Sequence, residues 1–242
     1  MTHGLLDHLL TLVLVLLFPL YATRTYRTFV AKVRAGAADA RVTEYRVTMV
    51  IQWVLVAATL GVWAYSGRSA AALGLAIPAG SRTLAGLGLS VLALALLLVQ
   101  WRAIQRLQGA GLDGLRRQLA GARDLLPATD REHANFRALC FTAGICEEVL
   151  YRGYLIAYLA VWLGSWPAML AAAVVFGLAH SYQGRSGVLK TGAVGLVMGA
   201  LFLFTGSLIW PMILHVAVDL QGAAIGRRVV HQTPDPVPVP VV

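Results

Sequence analysis

Apolar runs of membrane-spanning length recur along this chain, near residues 5–22, 47–66, 84–101, 136–163, 166–182, 188–205 and 208–226. A helix needs about 20 such residues to cross the hydrocarbon core of a bilayer. Lipid offers the backbone no hydrogen-bond partner, so a spanning segment must be a helix or part of a closed barrel. Runs of this length, without strict alternation, read as helices. The chain is 58% hydrophobic and 13% charged, too apolar for a soluble domain of this size to bury. The expected fold is an all-α polytopic membrane protein with about seven transmembrane helices. The first run has no basic segment before it and carries Asp7 and His8, so it reads as a retained helix rather than a cleaved signal peptide. Interfacial exposure is the expected state of that pair.

Charge gives the orientation. The chain has 20 Lys and Arg against 11 Asp and Glu. Such a balance suggests nucleic acid in a soluble protein, but the basic residues lie in the links between spans, and no nucleic-acid partner is expected. With seven spans, seventeen of them fall on one side, Arg68 and Arg82 on the other, and Arg152 within the membrane. The positive-inside rule then puts the N-terminus outside and the C-terminus in the cytoplasm, in a cell membrane. The expected partner from composition is the lipid bilayer. The oligomeric state is not legible.

The chain divides into N-terminal spans and basic loops (residues 1–135), a C-terminal four-helix core (residues 136–228) and a proline-rich tail expected to be disordered (residues 229–242). Between residues 112 and 126, leucines recur at helical spacing opposite Arg116, Arg117 and Arg123. This reads equally as a basic helix on an anionic leaflet or as a solvated loop helix. Thr129 to Glu132 has the form of a capping box, so a new helix is expected there. Cys140 and Cys146 share one apolar helix at a spacing that suits neither a disulfide nor a metal site.

The most polar residues of the core spans are Glu147, Glu148, Arg152, His180, His215 and Asp219. Ionisable side chains inside a membrane are expensive, and their default reading is functional. Glu148 and Arg152 are four apart on one helix face and can pair. Glu147 points about 100° away and is free for chemistry, or is a second structural acid sharing Arg152. His215 and Asp219 are also four apart, and a carboxylate there can orient the imidazole. At about 1.5 Å per residue, Glu147 and His215 reach similar depths, whereas His180 is expected nearer the membrane surface. A carboxylate and a histidine in a partly dry cavity can deprotonate water.

These residues resemble a known family. Glu147-Glu148-x-x-x-Arg152, Phe176-x-x-x-His180 and His215-x-x-x-Asp219 are similar to the three motifs of the CAAX-protease and bacteriocin-processing (CPBP) family, which includes the type II CAAX prenyl endopeptidases. The resemblance covers about residues 136–228. It implies an intramembrane endopeptidase that acts on a membrane-associated peptide or protein substrate and in which Glu147 and His180 activate water. It also implies that His215 and Asp219 lie at the oxyanion hole, and that Glu148 and Arg152 form a structural ion pair. The family pattern usually has Asn where this chain has Asp219, and an ionised Asp cannot donate to an oxyanion. Asp219 must then be protonated, orient His215 or bind a metal. Glu147, His180, His215 and Asp219 would make an acceptable zinc set. No His-Glu-x-x-His is present, and a metal-free mechanism with no cofactor is the expectation. A non-catalytic immunity or scaffold protein of the same family is the alternative. A proton-coupled transporter is a third reading, weakened by the lack of internal repeats.

Overall fold

The computed structural model describes residues 3–231, which form helices α1 (Leu5–Arg34), α2 (Ala40–Tyr65), α3 (Ser81–Gln105), α4 (Gly109–Leu119), α5 (residues 130–163), α6 (Ser165–Ala179), α7 (Gly184–Thr205) and α8 (Ile209–His231). No strand occurs among the described residues. The tail expected at 229–242 lies outside the described residues from 232 onward, and residues 229–231 are the last turn of α8.

The chain is an all-α, multi-pass integral membrane protein. Among the described residues, five helices are long and apolar enough to cross a membrane, namely α1, α2, α3, α7 with the turn that precedes it, and α8. The runs expected as the fourth and fifth spans are helices α5 and α6. The first carries Glu147, Glu148 and Arg152, and the second has only 15 residues. Leu84, Leu92, Leu96 and Val99 of α3 are exposed. In water such a face would be an aggregation surface, and against lipid tails it needs no cover.

Local signals set several helix ends. Thr129 Oγ1 accepts from the Glu132 amide and Glu132 Oε2 accepts from the Thr129 amide, the expected capping box that starts α5. Gly206 holds φ +73° in the turn between α7 and α8, a conformation that costs a side-chain-bearing residue more. The basic stretch after the first run is not a loop. Helix α1 continues to Arg34 and α2 begins at Ala40, so only residues 35–39 connect them. Residues 112–126 are likewise not one helix. Helix α4 gives way to a tighter 3-10 turn at Ala120–Leu125.

Polar clasps tie the N-terminal helices to the core at both ends. Asp7 is 1% exposed and accepts from both Arg68 Nη atoms at 2.8 and 2.6 Å, while Tyr154 of α5 donates to the Asp7 carbonyl. The expected interfacial exposure of Asp7 is therefore corrected, because a bidentate arginine compensates its burial. His8 is exposed and reaches the Tyr158 hydroxyl. At the basic end, Arg34 pairs with Asp124, Arg41 donates to the Asp124 carbonyl and Tyr45 to the Leu125 carbonyl.

The core is assembled by close helix approach. Helix α5 crosses α8 at Gly144, where an added Cβ would lie 2.5 Å from Val216 Cγ2 and 2.8 Å from the Val216 backbone nitrogen. Backbone cannot step aside as a side-chain tip can. Gly144→Ala is expected to destabilise the protein by about 1–3 kcal/mol, read as a lower unfolding midpoint in detergent. Gly222→Ala on α8, where a Cβ meets nothing within 4 Å, is the control and leaves that midpoint unchanged or higher.

Candidate active site

Glu147 is the last residue of the regular part of α5, and Glu148 begins a π-helical stretch, Glu148–Leu155, that precedes regular helix from Ile156 to Leu163. Wider π turns inside helices are frequent at functional sites. Here the stretch carries both Glu148 and Arg152, and each of its residues is buried.

Glu148 is fully buried, with Arg152 Nη1 2.9 Å from its Oε1. The same Oε1 lies 2.7 Å from Nδ1 of His215 on α8. A carboxylate only accepts, so Nδ1 carries the proton and donates. Glu148 thus joins the arginine to the third motif. The Arg152 guanidinium also lies over the Phe176 ring, 4.2 Å from its centroid. That cation–π contact draws the second motif into the same cluster.

His180 ends α6. Its Nδ1 is 2.8 Å from the Phe176 carbonyl, which can only accept. Nδ1 is therefore the protonated nitrogen, and Nε2 is left as a base. His215 Nε2 lies 3.8 Å from Glu147 Oε2 and 3.7 Å from Asp219 Oδ2. Glu148, rather than Asp219, holds His215 Nδ1, and Asp219 faces the opposite nitrogen.

Glu147, His180, His215 and Asp219 all line one cavity of about 370 Å³. The depth difference expected for His180 does not keep it away from the others. Leu119, Ala122, Leu125 and Leu126 line the same cavity, so the apolar side of the segment read as a leaflet or loop helix faces the site. Glu147 Oε1 accepts from Gln52 Nε2 of α2 at 2.8 Å. No sequence motif marked Gln52, and its neighbours in the chain are apolar. A polar side chain on an apolar span was the signal available.

Among the described residues, no group of three or more His, Cys, Asp or Glu side chains is placed to hold a metal ion. Glu147 Oε2 and Asp219 Oδ2 both approach His215 Nε2, at 3.8 and 3.7 Å.

Residues 131–221 match the family model described as Rce1-like, type II CAAX prenyl endopeptidase Rce1-like. No curated protein and no solved structure gave a match. The matched segment holds all six polar core residues and leaves α1 to α4 outside it. Over that segment the chain is similar to the CAAX-protease (CPBP) family of intramembrane endopeptidases.

Proposed function

We propose that this protein is an intramembrane endopeptidase that hydrolyses a peptide bond of a membrane-associated, CAAX-like substrate with water activated by Glu147 and His180. One observation carries the reading. Glu147, His180, His215 and Asp219 line a single cavity, and both histidines have Nδ1 committed to an acceptor. That leaves each Nε2 for chemistry.

In this reading Glu147 Oε2 takes one proton of the attacking water, and His180 Nε2 accepts a hydrogen bond from the O–H that remains. The water adds to the substrate carbonyl, and the negative charge moves to the carbonyl oxygen. His215, protonated on both nitrogens, donates Nε2–H to that oxygen, while Glu148 holds its Nδ1–H. The proton gathered by Glu147 passes to the leaving amine as the tetrahedral intermediate collapses. Asp219 supports the His215 imidazolium from 3.7 Å. The basic ends of the helices face the cytoplasm and the N-terminus lies outside, in the cell membrane, so the substrate is met from the cytoplasmic leaflet.

The test is cleavage of a farnesylated peptide with a CAAX terminus by the purified full chain in lipid nanodiscs, with the released fragment detected by mass spectrometry. Cleavage by the wild type and none by Glu147→Gln is the expected result. A wild type that leaves the peptide intact overturns the substrate class. For the mechanism, excess EDTA is expected to leave the rate unchanged and added zinc not to raise it. A rate abolished by EDTA and restored by zinc would overturn metal-free water activation.

A further inference from the structure

We infer that Gln52, on α2 and outside the family-matched segment, is a positioning residue that fixes the carboxylate of Glu147 for the reaction. The inference rests on the endopeptidase reading above for its kinetic consequences, and on geometry alone for the contact.

Gln52 is 3% exposed, and its Nε2 lies 2.8 Å from Glu147 Oε1. The orientation of its amide is decided by charge. The carbonyl end would meet a carboxylate with two acceptors face to face, so the NH₂ end must point at Glu147. Gln52 Oε1 then has no hydrogen-bond partner among the described residues, although it is buried. Such an orphan acceptor costs stability. That a glutamine occupies this site indicates that its donor end has a use.

The use follows from the two oxygens of Glu147. With Oε1 committed to Gln52, Oε2 is the oxygen that lies 3.8 Å from His215 Nε2. A glutamate side chain has three rotatable bonds, and without a restraint it samples several rotamers. The hydrogen bond from α2 holds it in the one that faces the second and third motifs. Gln52 also sits where two cavities meet. It lines the 370 Å³ cavity and a smaller one of about 120 Å³ that extends between α1 and α2. Glu147 and His180 line both as well. The N-terminal half of the chain, outside the three motifs, thereby contributes directly to the reacting centre.

The test uses Gln52→Met, which keeps length and removes the donor. In nanodiscs with the farnesylated CAAX peptide, kcat is expected to fall about 10- to 100-fold, the usual loss when the partner that orients a reacting group is removed. KM is expected to stay within about twofold, because the lost contact is not to substrate. In the double variant Gln52→Met/Glu147→Gln, activity is expected to equal that of Glu147→Gln alone, since Gln52 acts through Glu147. A merely structural role would lower both KM-limited and saturated rates through loss of folded protein, and its effect would add to that of Glu147→Gln.

A second measurement does not depend on turnover. Labelling of Glu147 by a membrane-permeant carbodiimide, quantified by mass spectrometry, is expected to rise severalfold in Gln52→Met as the carboxylate is released. If the wild type does not cleave the peptide but the labelling rises, the substrate reading fails and the Gln52 contact stands. If neither labelling nor kcat changes in Gln52→Met, the inference is overturned.

Discussion

Glu147→Gln is expected to lower kcat/KM for the farnesylated CAAX peptide by about 100- to 10,000-fold, the range associated with loss of a general base. Every tenfold is about 1.4 kcal/mol of transition-state stabilisation, so the expected loss is about 3–5 kcal/mol. The substitution is nearly isosteric. The new amide carbonyl can still accept from Gln52 Nε2, as Glu147 Oε1 does at 2.8 Å. What is lost is basicity, since an amide cannot take the proton of a water. Glu147 is also not the buried partner of the arginine. Its side chain keeps 13% of its exposure, whereas Glu148 keeps none. The unfolding midpoint in detergent is therefore expected to stay close to wild type while cleavage is lost. Unchanged cleavage would remove Glu147 from the water-activating role. Lost cleavage with unchanged biological activity would favour the scaffold reading over the protease.

What the sequence revealed and what it hid divide along the range of the interaction. The capping box at Thr129 and Glu132 spans three residues and was legible, because its geometry follows from helix pitch alone. The Glu148–Arg152 contact spans four and was legible for the same reason. The hydrogen bond from His215 to Glu148 crosses 67 residues, and that from Gln52 to Glu147 crosses 95. Helix period says which residues share a face, but not which face meets which neighbour. So the sequence paired His215 with Asp219, its neighbour one turn on, and the structure gives its Nδ1 to Glu148. Asp7 shows the same limit. Its position near a helix start suggested solvent, whereas the return of the chain at Arg68 compensates its burial. The segment at residues 112–126 had the right amphipathic pattern, yet that pattern cannot distinguish lipid from a cavity as the apolar neighbour. Leu119, Leu125 and Leu126 face the cavity. The π-helical stretch at Glu148–Leu155 left no local mark in the pattern of apolar residues.

Arg152→Met is expected to destabilise the protein by about 3–5 kcal/mol, the cost of stranding one member of a buried ion pair. The side chains of Arg152 and Glu148 are 3% and 0% exposed, and 2.9 Å separates Nη1 from Oε1. Glu148 Oε2 has no hydrogen-bond partner among the described residues, so Oε1 carries both the arginine and His215. Without the guanidinium, the carboxylate keeps only His215, and the Phe176 ring loses the cation over its face. Methionine fills much of the vacated volume, so the loss is electrostatic rather than a cavity. Equilibrium unfolding in mixed detergent micelles measures it, and a change under about 0.5 kcal/mol would show that the pair is not structural. The double variant Glu148→Gln/Arg152→Met removes both charges and is expected to be more stable than Arg152→Met alone, because no unpaired charge stays buried. It is not expected to regain activity. The side-chain amide that Glu148→Gln introduces can still accept from His215 Nδ1–H, but a neutral amide does not stabilise the imidazolium that the oxyanion requires. Recovery of stability without recovery of turnover would separate the two tasks of Glu148, neutralising the arginine and charging the histidine. Both are performed by the one oxygen that touches each of them.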